Sequence, residues 1–237
     1  GVGCRGSEPP PELRPRVPVR RLPLPYPAVY ELWHRWRRLP VQRATGPVNV
    51  VHATAPTVPP VAGAPVVVTV HDLFPLDHPE LFTPQGVRVM TRGLELARTE
   101  AAMVLCPSPA TADACVGHGF AAERVRVVPW GASVTPPPAD RVAATMARLG
   151  LADRRVLLAV GTLEPRKNLV TLFEAVARLD RDEVVVAVVG PKGWGDDPLP
   201  AVAALGDRVR ALGFVTDEVL EDLYAGATAL CCPSLRE

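Results

Sequence analysis

Apolar residues along this chain gather in short, β-branched runs, and each run is followed by a stretch with helical spacing. In the first half, residues 48–54, 66–71, 103–107 and 124–129 read as buried strands, and residues 85–101 as a helix between the second and third of them. Ser108 followed by Pro109 makes an N-cap and first-turn pair for a further helix over 110–119. The stretch "GASVTPPPAD", residues 131–140, then breaks the pattern with three consecutive prolines and is the best linker in the chain. Beyond it the alternation restarts. Helices are expected over 141–150, 168–179 and 217–227, strands over 155–161, 183–190, 208–215 and 228–233, and a short helix after the loop 191–200. Strands alternating with helices build parallel sheets, so the fold class is α/β with two Rossmann-like domains, residues 1–130 and 141–237, joined by the proline-rich linker 131–140. A strand ending in Pro-Ser occurs in each half ("VLCPSPATAD" and "ALCCPSLRE"), a short echo between them.

Composition narrows the function classes. A net charge of +1 over 237 residues argues against bulk electrostatic binding, so no nucleic-acid partner is expected. The five cysteines are odd in number and lack metal-ligand spacing; they read as reduced, mostly buried thiols of a cytoplasmic protein. There is neither an apolar run long enough to span a bilayer nor a secretory signal pattern. The chain opens without Met and stops just after an apolar run, and both ends read as cut. Basic residues are almost all Arg; the only lysines, Lys167 and Lys192, each sit in a loop directly after an apolar strand.

Ligands of open parallel sheets bind outside the carboxyl ends of the strands. The stretch "VGTLEPRKNLVTLF", residues 160–173, places a polar loop with Glu164, Arg166 and Lys167 there, ahead of a helix whose free amides favour anions. Arg forks two hydrogen bonds onto a phosphate and Lys adds a point charge, so one reading is a phosphate or diphosphate site. The other is a pair of solvated loop cations. Asp180-Arg181-Asp182 has the spacing of a metal-binding pair but precedes its strand, and it reads as a solvated turn; no metal is expected. The glycines form neither a dinucleotide fingerprint nor an NTPase loop. In the first half, His71 and Asp72 stand at a strand's carboxyl end, where His71 is either a ligand contact or a histidine paired to backbone. Over residues 26–40, Val29, Leu32, Trp33 and Trp36 share one helical face, opposite Arg35, Arg37 and Arg38. Two readings stay open: a stripe packed on the sheet, or a basic amphipathic helix touching anionic lipid at the inner membrane face.

From about residue 48 onward the chain resembles the retaining glycosyltransferases of GT-B fold, especially the bacterial group that includes GDP-mannose-dependent mannosyltransferases. The resemblance rests on "VGTLEPRKN", "TVHD", "CPSPATAD", "VRVVPWGAS" and "LGFVTDEVLEDLYAGATALCCPSLRE", in the family's order. It implies transfer of a sugar from a nucleoside-diphosphate sugar, GDP-mannose or a UDP-sugar, to a glycan or lipid-linked acceptor, without a metal or other cofactor. Arg166, Lys167 and Gly161 would hold the donor diphosphate, His71 would stand near the transferred sugar, and Phe214 and Val215 would lie near the nucleobase. Glu237 would be the first of two glutamates eight residues apart. The second lies past the last residue, so the donor domain is expected to be incomplete and the chain inactive alone, with a non-catalytic sugar-nucleotide- or glycan-binding fragment as the alternative. Trp130 stands where many members carry Asn. The acceptor-side domain is expected to lack its first strand.

Overall fold

The computed structural model describes residues 2–5, 18–132, 135–179, 181–195 and 205–235. Its contacts divide the chain into two units, Gly1–Gly131 and Ala132–Glu237.

In the first unit, β3 (Val51–Ala53), β4 (Val66–Thr69), β5 (Met103–Cys106) and β6 (Val125–Val127) form a four-stranded parallel sheet in that order. Val66, Val68 and Val104 are buried on one face, against Leu94 and Ala97 of α4 (Pro84–Glu100) and Cys115 of α5 (Pro109–Gly117). The two helices start where the sequence supplies caps: Thr83 Oγ1 accepts from the Gly86 amide at 3.1 Å and Ser108 Oγ from the Thr111 amide at 3.2 Å.

Two further strands, β1 (Val2–Arg5) and β2 (Arg20–Pro25), pair in parallel as a separate two-stranded sheet. They were not visible in the hydrophobic pattern, because β2 is "RRLPLP" and only Leu22 in it is fully buried. α1 (Tyr26–His34) packs there, with Val29 and Trp33 buried beside Leu22. The helix is shorter than the expected 26–40, and Trp36 lies past its end, exposed. Arg37, read in sequence as part of a charged outer face, adopts a left-handed conformation at φ 50° instead. Its guanidinium donates to the carbonyls of Trp33 (2.6 Å) and Val58 (2.8 Å) and pairs with Glu100. Burial of Val29 and Trp33 and the internal bonding of Arg37 follow the packed reading of this segment, not the lipid-facing one.

The composition of residues 54–65 assigns them no role. They form a strap held against α4: a Cβ on Gly93 would stand 1.9 Å from the Pro56 carbonyl oxygen, and Val58 is fully buried. That contact explains a glycine in mid-helix, which otherwise costs about 1 kcal/mol relative to alanine.

In the second unit the order is β10 (Ala229–Leu230), β7 (Arg155–Val160), β8 (Val184–Val189) and β9 (Val209–Gly213), all parallel. Every residue of β8 is buried, as expected of a strand covered on both faces. Val185, Ala187 and Val189 pack with Met146 of α6 (Ala139–Arg148) and Leu223 of α8 (Asp217–Gly226). Val186 and Val188 pack on the opposite face with Leu172, Phe173 and Val176 of α7 (Leu169–Ala177). α6 and α8 are clasped by Asp222, which accepts from Arg141 Nε at 2.8 Å and Thr145 Oγ1 at 2.7 Å. Cys106 and Cys115 are buried, but Cys231 is only half-buried and Cys232 is exposed, against the expectation of mostly buried thiols. The expected short helix after the loop 191–200 lies largely outside the described residues, as does Asp180. Among the described residues no helix is long and apolar enough to cross a membrane.

His34 is buried with both ring nitrogens unpartnered, its ring tilted at 46° to that of Tyr30 with centroids 4.0 Å apart. Burial, and then the Arg37 and Arg92 charges, push its imidazole down to about 4. Unfolded histidine takes up a proton near pH 6.5, so between about pH 6.5 and 4 the unfolded chain binds more protons than the folded one. Stability is therefore retained above that window and is lost as pH falls through it, by about 3 kcal/mol in all. Urea midpoints at about pH 7 and pH 4.5 should differ less in His34→Phe than in the parent chain.

Candidate functional site

Gly161 directly follows β7 and Gly190 directly follows β8, and the loops they open are zipped together. The Leu163 amide donates to the Pro191 carbonyl at 3.0 Å, and the Gly193 amide to that of Leu163 at 3.0 Å. An isolated parallel bridge joins Leu163 to Lys192, so the loops carrying the two lysines of the chain are adjacent. The approach requires glycine. Gly190 has φ +146°, and a Cβ there would fall 2.0 Å from the Gly161 carbonyl oxygen.

Pro165–Lys167 form a single 3₁₀ turn, and Asn168 in the left-handed region (φ 51°) redirects the chain into α7. Asn tolerates this conformation because its short amide bonds locally. Here Asn168 Oδ1 accepts from Thr171 Oγ1 at 2.9 Å, and Nδ2 donates to the Pro233 carbonyl at 3.1 Å. The Leu235 amide donates to the Arg166 carbonyl at 2.9 Å, a second tie between this turn and the segment after β10. Gly161, Lys167, Leu169, Cys231 and Ser234 line a small cavity of about 20 Å³ at the strand ends. Lys167 lies along the Gly161 backbone, where a Cβ would meet its Cε at 2.9 Å.

Arg166 is not a solvated cation. Its Nη2 and Nε lie 2.7 and 3.0 Å from Glu164 Oε1, and the Glu164 side chain is only 3% exposed. The sequence alone assigns Glu164 no role. The signal available was its place, two residues before Arg166 in the strand-end loop, but nothing in the sequence showed its burial. Phe214 and Val215 stand two strands over from β7, past β9, where the Gly190 amide donates to the Gly213 carbonyl at 2.8 Å; Phe214 is 81% exposed. Glu237 lies outside the described residues.

His71, in the first unit, stands just past β4 at the sheet's carboxyl edge. Its Nε2 lies 2.8 Å from the Thr54 carbonyl oxygen, its own carbonyl accepts from Thr111 Oγ1 at 3.2 Å, and Trp130 stacks on the ring. The structure thus gathers Gly161, Arg166 and Lys167 at the end of β7, puts Phe214 and Val215 at the end of β9, two strands away in the same sheet, and holds His71 in the other unit. Among the described residues no three His, Cys, Asp or Glu side chains converge.

Residues 2–135 match the family model Glycosyltransferase Family 4, and residues 154–237 match Glycosyl transferases group 1. The first match begins at residue 2, well ahead of the motifs legible from residue 48. The chain is 30% identical over 181 residues to the O-antigen chain mannosyltransferase B of Escherichia coli, covering 72% of this chain and 47% of that protein. It is 37% identical over 135 residues to a D-inositol 3-phosphate glycosyltransferase of Geodermatophilus obscurus, covering 51% and 30% respectively. It therefore spans half or less of the length of these curated relatives. Among solved structures, Anabaena HepE in complex with UDP-glucose superposes with TM-score 0.64 at 23% identity, covering 77% of this chain and 52% of that one. The sucrose-phosphate synthase of Thermosynechococcus elongatus gives 0.63 at 20% identity, covering 89% and 57%. Parallel α/β units with these neighbours are of the GT-B type.

Replacing Gly190 by Ala should destabilise the second unit by about 3 kcal/mol or more, because a backbone carbonyl cannot yield without parting β7 from β8. Thermal unfolding of Gly190→Ala beside Gly206→Ala tests this, since a Cβ on Gly206 meets nothing within 4 Å although its φ is also positive, at +49°. Gly206→Ala should show the backbone strain alone, and Gly190→Ala the larger loss.

Proposed function

The chain belongs to Glycosyltransferase Family 4, and we propose that it carries the donor diphosphate site of a retaining glycosyltransferase that uses a nucleoside-diphosphate sugar. The observation that carries the reading is the 161–168 loop. It brings Arg166 and Lys167 to the carboxyl edge of a parallel sheet, directly before α7. Cations and helix-end amides at that edge suit a diphosphate.

When the glycosidic bond to the diphosphate breaks, the electron pair stays on the leaving phosphate oxygen. Arg166 and Lys167 would meet that growing charge, and preorganised donors of this kind act without reorganising as the reaction proceeds. The acceptor hydroxyl attacks the sugar carbon and passes its proton to the departing phosphate, so atoms and charge balance without a further base. His71 would contact the transferred sugar, and Phe214 and Val215 would lie beside the base, with Glu237 also on the donor. The acceptor would be a glycan or a lipid-linked sugar, on the cytoplasmic side of the membrane. GDP-mannose is the first donor to try, because the Escherichia coli relative is a mannosyltransferase. UDP-glucose is the second, because it is bound in the HepE structure.

Ligand-detected NMR of the chain with GDP-mannose, UDP-glucose and ADP-glucose tests the site. One nucleotide should bind, and Arg166→Ala/Lys167→Ala should weaken it by about 100-fold or more, since charge-assisted hydrogen bonds are worth about 1.5–3 kcal/mol each. Equal binding by the double variant would sink the assignment. In a transferase of the relatives' full length that carries this loop, the same variant should abolish sugar transfer.

A further inference from the structure

We propose that Trp130 and the Thr54 carbonyl are positioning groups for His71, holding its imidazole in one plane and one tautomer, with the proton on Nε2 and the lone pair on Nδ1. The starting point is the ring itself, which is exposed yet held by two contacts, one at its edge and one on its face. A carbonyl oxygen can only accept, so the nitrogen 2.8 Å from the Thr54 oxygen must be the one that bears hydrogen. In the neutral ring Nδ1 is then an acceptor. Trp130 fixes the remaining freedom: its rings lie 5.4 Å from the imidazole centroid at an interplanar angle of 5°, a parallel stack. The backbone of His71 is pinned separately, because Thr111 Oγ1 donates to its carbonyl at 3.2 Å and lies 3.0 Å from Ser108 Oγ at the start of α5.

Burial does not account for this arrangement. Trp130 is 67% exposed and covers no core residue through the stack. An indole left this open on a sheet's carboxyl edge, flat against an exposed imidazole, restricts the ring it stacks on. The Thr54 oxygen is equally well anchored, since the strap that follows it is fastened by Pro56 against Gly93 and by Arg37 to the carbonyls of Val58 and Pro59. Nδ1 is thereby offered to a group that donates a hydrogen bond, such as a hydroxyl, and is unsuited to a phosphate oxygen, which can only accept. The use made of this nitrogen rests on the proposed transferase reading; the tautomer rests on the contacts alone.

The test reads the tautomer directly. In the full chain labelled with ¹⁵N-histidine, long-range proton–nitrogen spectra at a pH where imidazole is neutral should show His71 with a protonated Nε2 and a bare Nδ1. Trp130→Ala should bring the two nitrogen shifts together as both tautomers become populated, and Trp130→Phe should restore the separation. Amide spectra of both variants, unchanged away from the site, would confirm that the fold is intact. A protonated Nδ1 in the parent chain would overturn the proposal, and so would unaltered nitrogen shifts in Trp130→Ala. Nucleotide binding and its loss in the Arg166/Lys167 variant are read separately, so a failed donor site and a failed positioning role give different outcomes.

Discussion

The second unit is organised around a contact that only glycine permits. Strands β7 and β8 are paired over their whole length, and their last carbonyls and amides run on into loops that keep bonding to each other. With any side chain on Gly190 the Gly161 carbonyl would have to move, and with it the loop that carries Glu164, Arg166 and Lys167. The all-buried β8 makes such a shift expensive, because its side chains fill cores on both faces of the sheet. Close packing leaves no slack to absorb it. The loop's placement is thus a consequence of sheet packing, transmitted through two glycines.

The first unit reaches the same end by other means. Its sheet is shorter, and β3 pairs over only three residues. Precision at the carboxyl edge comes from the strap 54–65, which is stapled to α4 at Gly93 and to the end of α1 through Arg37. Arg37 adopts a left-handed backbone that a non-glycine residue takes only at a cost. Four hydrogen-bond acceptors around its guanidinium offset that cost: three carbonyls and the Glu100 carboxylate.

Much of this was legible in the chain. Parallel strands covered on both faces appear as near-continuous apolar runs, so β4, β7 and β8 are legible in the sequence, and Ser108-Pro109 marks the start of α5. What escaped notice shares a physical cause, because it depends on partners distant in sequence. β2 carries two prolines and shows no alternation, and it is a strand because β1 lies beside it. Arg37 looks like any solvated arginine until Val58 and Glu100 arrive from 21 and 63 residues away. The strap 54–65 has the composition of a loose loop, and only the bare backbone at Gly93 turns it into a packed one. At the candidate site, the positions of Arg166 and Lys167 followed from strand-then-helix logic, whereas the partner of Arg166 did not.

That partner changes the electrostatics of the loop. A carboxylate as enclosed as Glu164 is tolerated only with a matching charge, and Arg166 supplies it in van der Waals reach of the turn. Within the proposed reading this has two consequences that pull in opposite directions. Pairing cancels one of the loop's two positive charges at long range, which weakens the attraction felt by an approaching diphosphate. It also holds the guanidinium in a fixed place at the turn. An enzyme gains more from the second effect than it loses by the first, because stabilising a departing phosphate depends on donors that are already oriented when the charge develops. Lys167, packed along the Gly161 backbone, is held against the same strand end, so both cations of the loop are fixed by the sheet that carries them.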